Sequence, residues 1–147
     1  MIYEVLTGTA RARPTAVMAA TTTWPEYPRV WRSLLDQVWA NVRWSGTGPK
    51  GRNVMLYLDD VPHVEVGVEL DQPAEVEPPV IRSALPAGEI AMTVHRGPYE
   101  GLGDAHEAVL RWCHDNGRQP TRQRWEIYGH HHDDPAQLET EVYWLLR

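Results

Sequence analysis

Residues 124–129 read Arg-Trp-Glu-Ile-Tyr-Gly, and the alternation within this stretch decides the fold. Successive strand side chains point to opposite faces, so Trp125 and Ile127 share one face while Glu126 and Tyr128 share the other. An acid set between two large apolar residues belongs to a strand near the middle of a sheet. Working outward, the same period of two runs through residues 15–21, 53–58, 64–70, 89–95 and 139–146. Two stretches have a helical period instead. Trp31, Leu34, Leu35, Val38, Trp39 and Val42 follow i, i+3, i+4, i+7, i+8, i+11, with Pro28 ahead and Ser45-Gly46-Thr47-Gly48-Pro49 as the stop. Ala105, Val109, Trp112 and Cys113 stripe a helix over about 103–116, closed by Asn116-Gly117.

The order β-α-β-β thus occurs twice. Trp39 and Trp112, Tyr57 and Tyr128, and Glu65 and Glu141 stand at similar offsets, as in a duplicated unit. The expected fold is a single α+β domain: two pseudo-symmetric βαββ repeats forming a largely antiparallel sheet, with helices on one face and a ligand groove on the other. The first half spans about 1–70 and the second 89–147. Residues 71–88, with Pro73, Pro78, Pro79 and Pro86, read as the connector, and a further short strand is expected near residues 2–6.

Composition narrows the function. The 147 residues carry 14 basic and 20 acidic side chains, a formal net charge of −6, which disfavours direct nucleic-acid binding. No apolar run is long enough for a membrane span and no basic leader opens the chain, so it reads as cytoplasmic. The single cysteine, Cys113, excludes an internal disulfide framework and falls on a helix core stripe. Seven Trp and six Tyr occur with no Phe, so every aromatic ring carries a polar handle. A GC-rich coding bias, which the 13 Arg against one Lys also suggests, accounts for this equally well.

If the helices cover Val54/Leu56/Leu58, Val64/Val66/Val68, Ile90/Met92/Val94, Trp125/Ile127 and Val142/Trp144/Leu146, parity sets the opposite face. It then carries Met55, Tyr57, Glu65, Glu69, Thr93, His95, Glu126, Tyr128, Glu141 and Tyr143. Acids, tyrosines and a methionine suit a lipophilic, aromatic, cationic small molecule: rings attract the cation, a carboxylate is its countercharge, and Met adapts to irregular shapes. A solvated sheet with scattered Glu has the same pattern. Glu126 is the central acid; Trp24 and Trp44 flank the first helix and could wall the groove, whereas Trp31, Trp39 and Trp112 read as packing residues. The run His130-His131-His132-Asp133-Asp134 reads as a solvated loop, and neither metal nor cofactor is assigned.

The stretch 95–102, His-Arg-Gly-Pro-Tyr-Glu-Gly-Leu, followed by a helix, Trp125-Glu126-Ile127-Tyr128 and Thr140-Glu141-Val142-Tyr143, resembles the GyrI-like small-molecule-binding family, which includes effector domains of AraC-type and MerR-type regulators. The resemblance covers 89–147; its first-half counterpart is only Thr23-Trp24-Pro25-Glu26-Tyr27. It implies a groove for lipophilic, often cationic ligands, with Glu126 as a buried ligand-facing carboxylate and Glu141 as a second acid. Tyr57, Tyr99, Tyr128, Tyr143, Met55 and His95 join the expected site. The regulators add a helix-turn-helix module for which this chain has no segment, so it reads as a stand-alone version. Three uses remain open: ligand binding or sequestration, hydrolysis of strained electrophilic compounds with Glu126 as base and Tyr128 or Tyr99 as proton donor, and contact with a partner protein, as in gyrase inhibition.

Overall fold

Residues 2–48 and 50–147 are described in the computed structural model of the chain. Pro49, the last residue of the expected helix stop, lies outside them. The strands are β1 (Leu6–Ala10), β2 (Arg13–Thr21), β3 (Val42–Trp44), β4 (Asn53–Tyr57), β5 (His63–Glu69), β6 (Ala74–Val76), β7 (Ile81–Leu85), β8 (Gly88–Arg96), β9 (Pro120–Tyr128) and β10 (Glu139–Leu146). The helices are α1 (Tyr27–Ala40) and α2 (Leu102–Asp115). An eight-stranded sheet has the order β1-β8-β10-β9-β4-β5-β2-β7, with antiparallel pairing throughout, and β3 and β6 form a separate ribbon. From either edge inward the order repeats: an edge strand, the strand before a helix, the last strand of that unit, then the first strand after the helix that joins the main sheet, β9 in one half and β4 in the other. No helix of the described residues is long and apolar enough to cross a membrane.

Three local expectations shift. Helix α1 ends at Ala40, and Val42 starts β3; the Asn41 side chain donates to the Gln37 carbonyl 2.8 Å away while its backbone leaves the helix. The segment read as a connector contains β6 and β7, and β7 closes one edge of the sheet, a place where neighbouring prolines cost no ladder hydrogen bond. The N-terminal strand lies at Leu6–Ala10 rather than 2–6, paired with β8 at the other edge.

The assignment of faces also changes. Residues directly opposite across a ladder share a face, and the register aligns Met55 with Glu126 and Glu126 with Val142, which in turn faces Thr93. Val142 and Trp144 pack beneath Ala105, Val109 and Cys113 of α2. Val64, Val66, Met55 and Tyr57 pack with Tyr27, Leu34 and Leu35 of α1. Helices, Glu126, Tyr57 and Met55 are therefore on one and the same face, and the expected groove on the helix-free face does not form. That other face holds Val54, Leu56, Trp125, Ile127 and Tyr143, joined by Ala10 of β1 and Leu85 of β7 from the two edge strands. The sheet is curled into a half-barrel, so residues from both edges meet over the central strands and bury this apolar face without a helix. Gly67 permits the curl: a Cβ there would lie 1.8 Å from the Ala16 carbonyl oxygen on β2.

Candidate functional site

Between α1 and α2, over the central strands, lies a cavity of about 390 Å³, within the usual range for small-molecule sites. One wall is the α1 stripe Tyr27, Trp31 and Leu35, spaced four residues apart along one helix face. The opposite wall is Leu102 at the start of α2 with Tyr99 from the turn before it. The floor is Asn53, Met55 and Tyr57 of β4 with Glu126 and Tyr128 of β9. Tyr27 and Val38 are the buried residues of α1. The stripe thus serves twice: Leu34 and Val38 pack on the sheet, while Tyr27, Trp31 and Leu35 border the cavity.

Glu126 is 5% exposed and accepts three hydrogen bonds. Tyr57 donates to Oε1 at 2.9 Å, Tyr128 donates to the same oxygen, and His106 Nε2 lies 2.7 Å from Oε2. Burial pushes the carboxyl up, but the His106 hydrogen bond, the attraction this imidazole exerts when protonated, and the bonds from Tyr128 and Tyr57 together outweigh it and hold the group below its ordinary value. The hydroxyls respond in the opposite sense. Burial, and then the Glu126 charge, push Tyr57 and Tyr128 well above the usual phenol value, so both remain protonated donors. Met55 Sδ accepts from Tyr27 at 2.8 Å, which fixes the thioether beside the carboxylate.

Rings extend this cluster. Tyr27 meets Tyr57 edge-on at 5.5 Å, and Tyr99 stands perpendicular to Tyr128 at the same separation, 46% exposed at the mouth. Trp24 packs 5.5 Å from Tyr57 and donates its indole N–H to the Asp60 carbonyl, so it stands behind the wall. Arg124, also buried, lies between the rings of Trp24, Tyr57 and Trp144, and bonds Asp60 at 2.9 Å.

The other expected site residues sit elsewhere. Glu141 and Tyr143 point to the helix-free face: Tyr143 stacks on Trp125 at 5.5 Å, and Glu141 bonds Arg52 at 2.6 Å, within a chain of ion pairs running through Glu69 to Arg13. Their odd parity on β10 places them opposite Val142 and Trp144, which face α2. Trp44 lies on the β3–β6 ribbon, 6.0 Å from Trp39, away from the cavity. His95 is buried behind the turn rather than in the wall: Nδ1 is 2.8 Å from the Tyr3 hydroxyl and Nε2 donates to the Pro98 carbonyl. Its ring fills the space a Cβ on Gly101 would need, so it holds the turn that carries Tyr99. Among the expected packing residues, Trp31 lines the cavity, and Trp39 is 38% exposed with its N–H on Asn53. His131 reaches the rim and lies 3.2 Å from Asp133; among the described residues no set of three ligating side chains converges for a metal.

The lining residues Tyr27, Trp31, Leu35, Asn53 and Leu102 were not expected in the site, and neither were two residues behind Glu126. His106 and Trp144 complete a partly buried series in which Trp144 Nε1–H donates to His106 Nδ1 at 3.0 Å. The signal was present: His106, Val109, Leu110 and Cys113 follow i, i+3, i+4, i+7, which places a histidine on the apolar side of α2.

Comparison with known proteins gives a family and a set of similar folds. The model of the GyrI-like small molecule binding domain matches residues 59–147. No curated protein matches the sequence. Among solved structures, the EcmrR C-terminal domain aligns over 100% of this chain and 99% of its own at 21% identity and a TM-score of 0.73. SAV2435 bound to tetraphenylphosphonium aligns over 100% and 94% at 10% identity, TM-score 0.68. A hydrolase encoded by lin2189 from Listeria innocua aligns over 98% and 92% at 12% identity, TM-score 0.64. At these identities the likeness is one of fold.

Proposed function

The chain belongs to the GyrI-like small-molecule-binding family, and from that premise we propose that its cavity takes lipophilic aromatic molecules bearing one positive charge, with Glu126 as the countercharge. The observation that carries this reading is the state of Glu126. It is buried and ionised, its partners are hydroxyls and an imidazole, and no Lys or Arg of the described residues bonds it. Glu126 is also the only acid lining the cavity among the described residues, which matches one charge rather than two. Rings of Tyr27, Trp31, Tyr57, Tyr99 and Tyr128 surround it, and a cation over such a face gains about 0.5–2 kcal/mol. A similarly folded protein solved with tetraphenylphosphonium, a lipophilic aromatic cation, supports the same ligand class.

General-base hydrolysis is the weaker use of this geometry. A carboxyl held below its ordinary value by three donors is a poor proton acceptor, and hydroxyls pushed well above theirs are poor acids.

The test is calorimetric titration of tetraphenylphosphonium and of neutral triphenylphosphine oxide into wild type and Glu126→Gln. The variant is expected to lose about tenfold to a hundredfold for the cation, the range of a charge-assisted contact, and under about threefold for the neutral compound. Equal losses for both would mean that Glu126 shapes the cavity without acting as its countercharge.

A further inference from the structure

His106 lies behind the carboxylate, on the side away from the ligand space. Its imidazole has two buried neighbours. Trp144 Nε1 is 3.0 Å from Nδ1, and Glu126 Oε2 is 2.7 Å from Nε2. An indole N–H can only donate, and a carboxylate oxygen can only accept. Nδ1 must therefore offer a lone pair and Nε2 must carry the proton. Both nitrogens are used in a way that leaves the ring neutral.

A second proton would have to go onto Nδ1, and it would meet the Trp144 N–H head-on. Trp144 cannot turn away freely: it is 9% exposed, packed among Ala105, Val109 and Cys113, with the Arg124 guanidinium 5.2 Å above its ring. That guanidinium also opposes a further positive charge nearby. Other titratable groups on the surrounding elements are Tyr57, Tyr128 and Tyr99 on the cavity side. His95 on β8 is committed to Tyr3 and Pro98, and Asp104 and Glu107 lie on α2 itself.

We infer that His106 is a specificity-determining residue: Trp144 keeps it as a neutral Nε2–H donor, so it orients Glu126 without cancelling its charge. An imidazolium in the same place would form an ion pair with Glu126 and remove the site's preference for cations. A neutral donor leaves the carboxylate's charge available to the ligand. Trp144 thereby acts on cation binding from beneath α2, without lining the cavity. The inference rests on the ligand class proposed above, but the protonation of His106 is a property of the ligand-free protein.

Two measurements test it. Long-range 1H–15N correlation spectra of the ligand-free protein should show one protonated and one unprotonated nitrogen for His106 at neutral pH, with Nε2 protonated. An imidazolium pattern, or the proton on Nδ1, would overturn the inference whatever the cavity binds. The second measurement follows tetraphenylphosphonium affinity from pH 8 to pH 5.5 in wild type, Trp144→Phe, and Trp144→Phe with His106→Gln. Wild type should change by less than about twofold. Trp144→Phe frees Nδ1 to take a second proton, so this variant should lose more than about threefold as pH falls across the range. The Gln amide can donate near the Nε2 position but cannot be protonated, so the double variant should regain a flat profile. A flat profile in Trp144→Phe, or a steep one in the double variant, refutes the role of His106. If Trp144→Phe fails to fold, the nitrogen spectra of the wild-type protein followed from pH 8 to pH 5.5 decide: the neutral Nε2–H pattern of His106 should persist across the range, and an imidazolium pattern within it would refute the role of Trp144. If the cation does not bind wild type at any pH, the ligand class fails, and the spectra still decide the state of His106.

Discussion

Glu126→Gln should destabilise the ligand-free protein, although it removes a buried charge. An unpaired carboxylate at 5% exposure would be costly, and neutralising it would stabilise the fold. Glu126 is not unpaired. It accepts from Tyr57, Tyr128 and His106, and these bonds, with the attraction of His106 when protonated, outweigh burial and leave its carboxyl below the ordinary value. The fold thus prefers the charged form over the neutral acid, and a Gln amide approximates the neutral acid. The amide can still be satisfied: its oxygen can take the His106 bond while its NH2 group donates to the two hydroxyls, which then turn toward Met55 Sδ. What is lost is charge assistance on three bonds, less the relief of burying a neutral group, a net cost of about 1–2 kcal/mol. For a chain of this size that lowers Tm by about 2–8 °C. Urea denaturation of both proteins without ligand measures it. Because the folded carboxyl titrates below the unfolded one, its contribution is fully present above the ordinary value of about 4.5 and is lost as pH falls through the lower folded value. The gap between the two proteins should therefore be constant near neutrality and close in acid. A variant as stable as wild type, or more so, at pH 7 would show that the three donors do not compensate burial, and the countercharge argument would fall with it.

Gly101→Ala would set a Cβ 2.8 Å from His95 Cε1, and is expected to cost about 1–3 kcal/mol by chemical denaturation; an unchanged midpoint would remove His95 as the support of the Tyr99 turn. Glu141→Gln alters an acid on the helix-free face, bonded to Arg52 at 2.6 Å, so tetraphenylphosphonium affinity should stay within about twofold of wild type. A loss matching that of Glu126→Gln would contradict the face assignment.

Much of the site was legible from spacing alone. Glu126 and Tyr128 are two residues apart on one strand, as are Met55 and Tyr57, and parity places each pair on one face regardless of the fold. Tyr99 was reached through the His95–Leu102 stretch. Glu141 and Tyr143 were misplaced because parity is local: it relates residues within a strand but says nothing about which parity of β10 aligns with which parity of β9. Only the register, Val142 opposite Glu126, settles that. His106 was overlooked because a lone histidine on a helix declares no role until its neighbours on other strands are known.

The amino-acid sequence by itself determined the two amphipathic helices and the six alternating strands around them, since these follow from side-chain period and local breakers; the short β3 and β6 and the edge strand β7 carry no such period. It could not determine which face of the sheet the helices cover. Both faces of the central strands are buried: Val54 and Leu56 on one side of β4, Met55 and Tyr57 on the other, and likewise Trp125 and Ile127 against Glu126 on β9. A hydrophobic face ordinarily implies a covering layer of helix. Here the curl of the sheet brings its own two edges over Trp125 and Ile127, so the more apolar face is buried without helices. The helices are left to flank the face that holds the acid, and the site opens between them because curvature, a property of the whole sheet, is carried by no single stretch of residues.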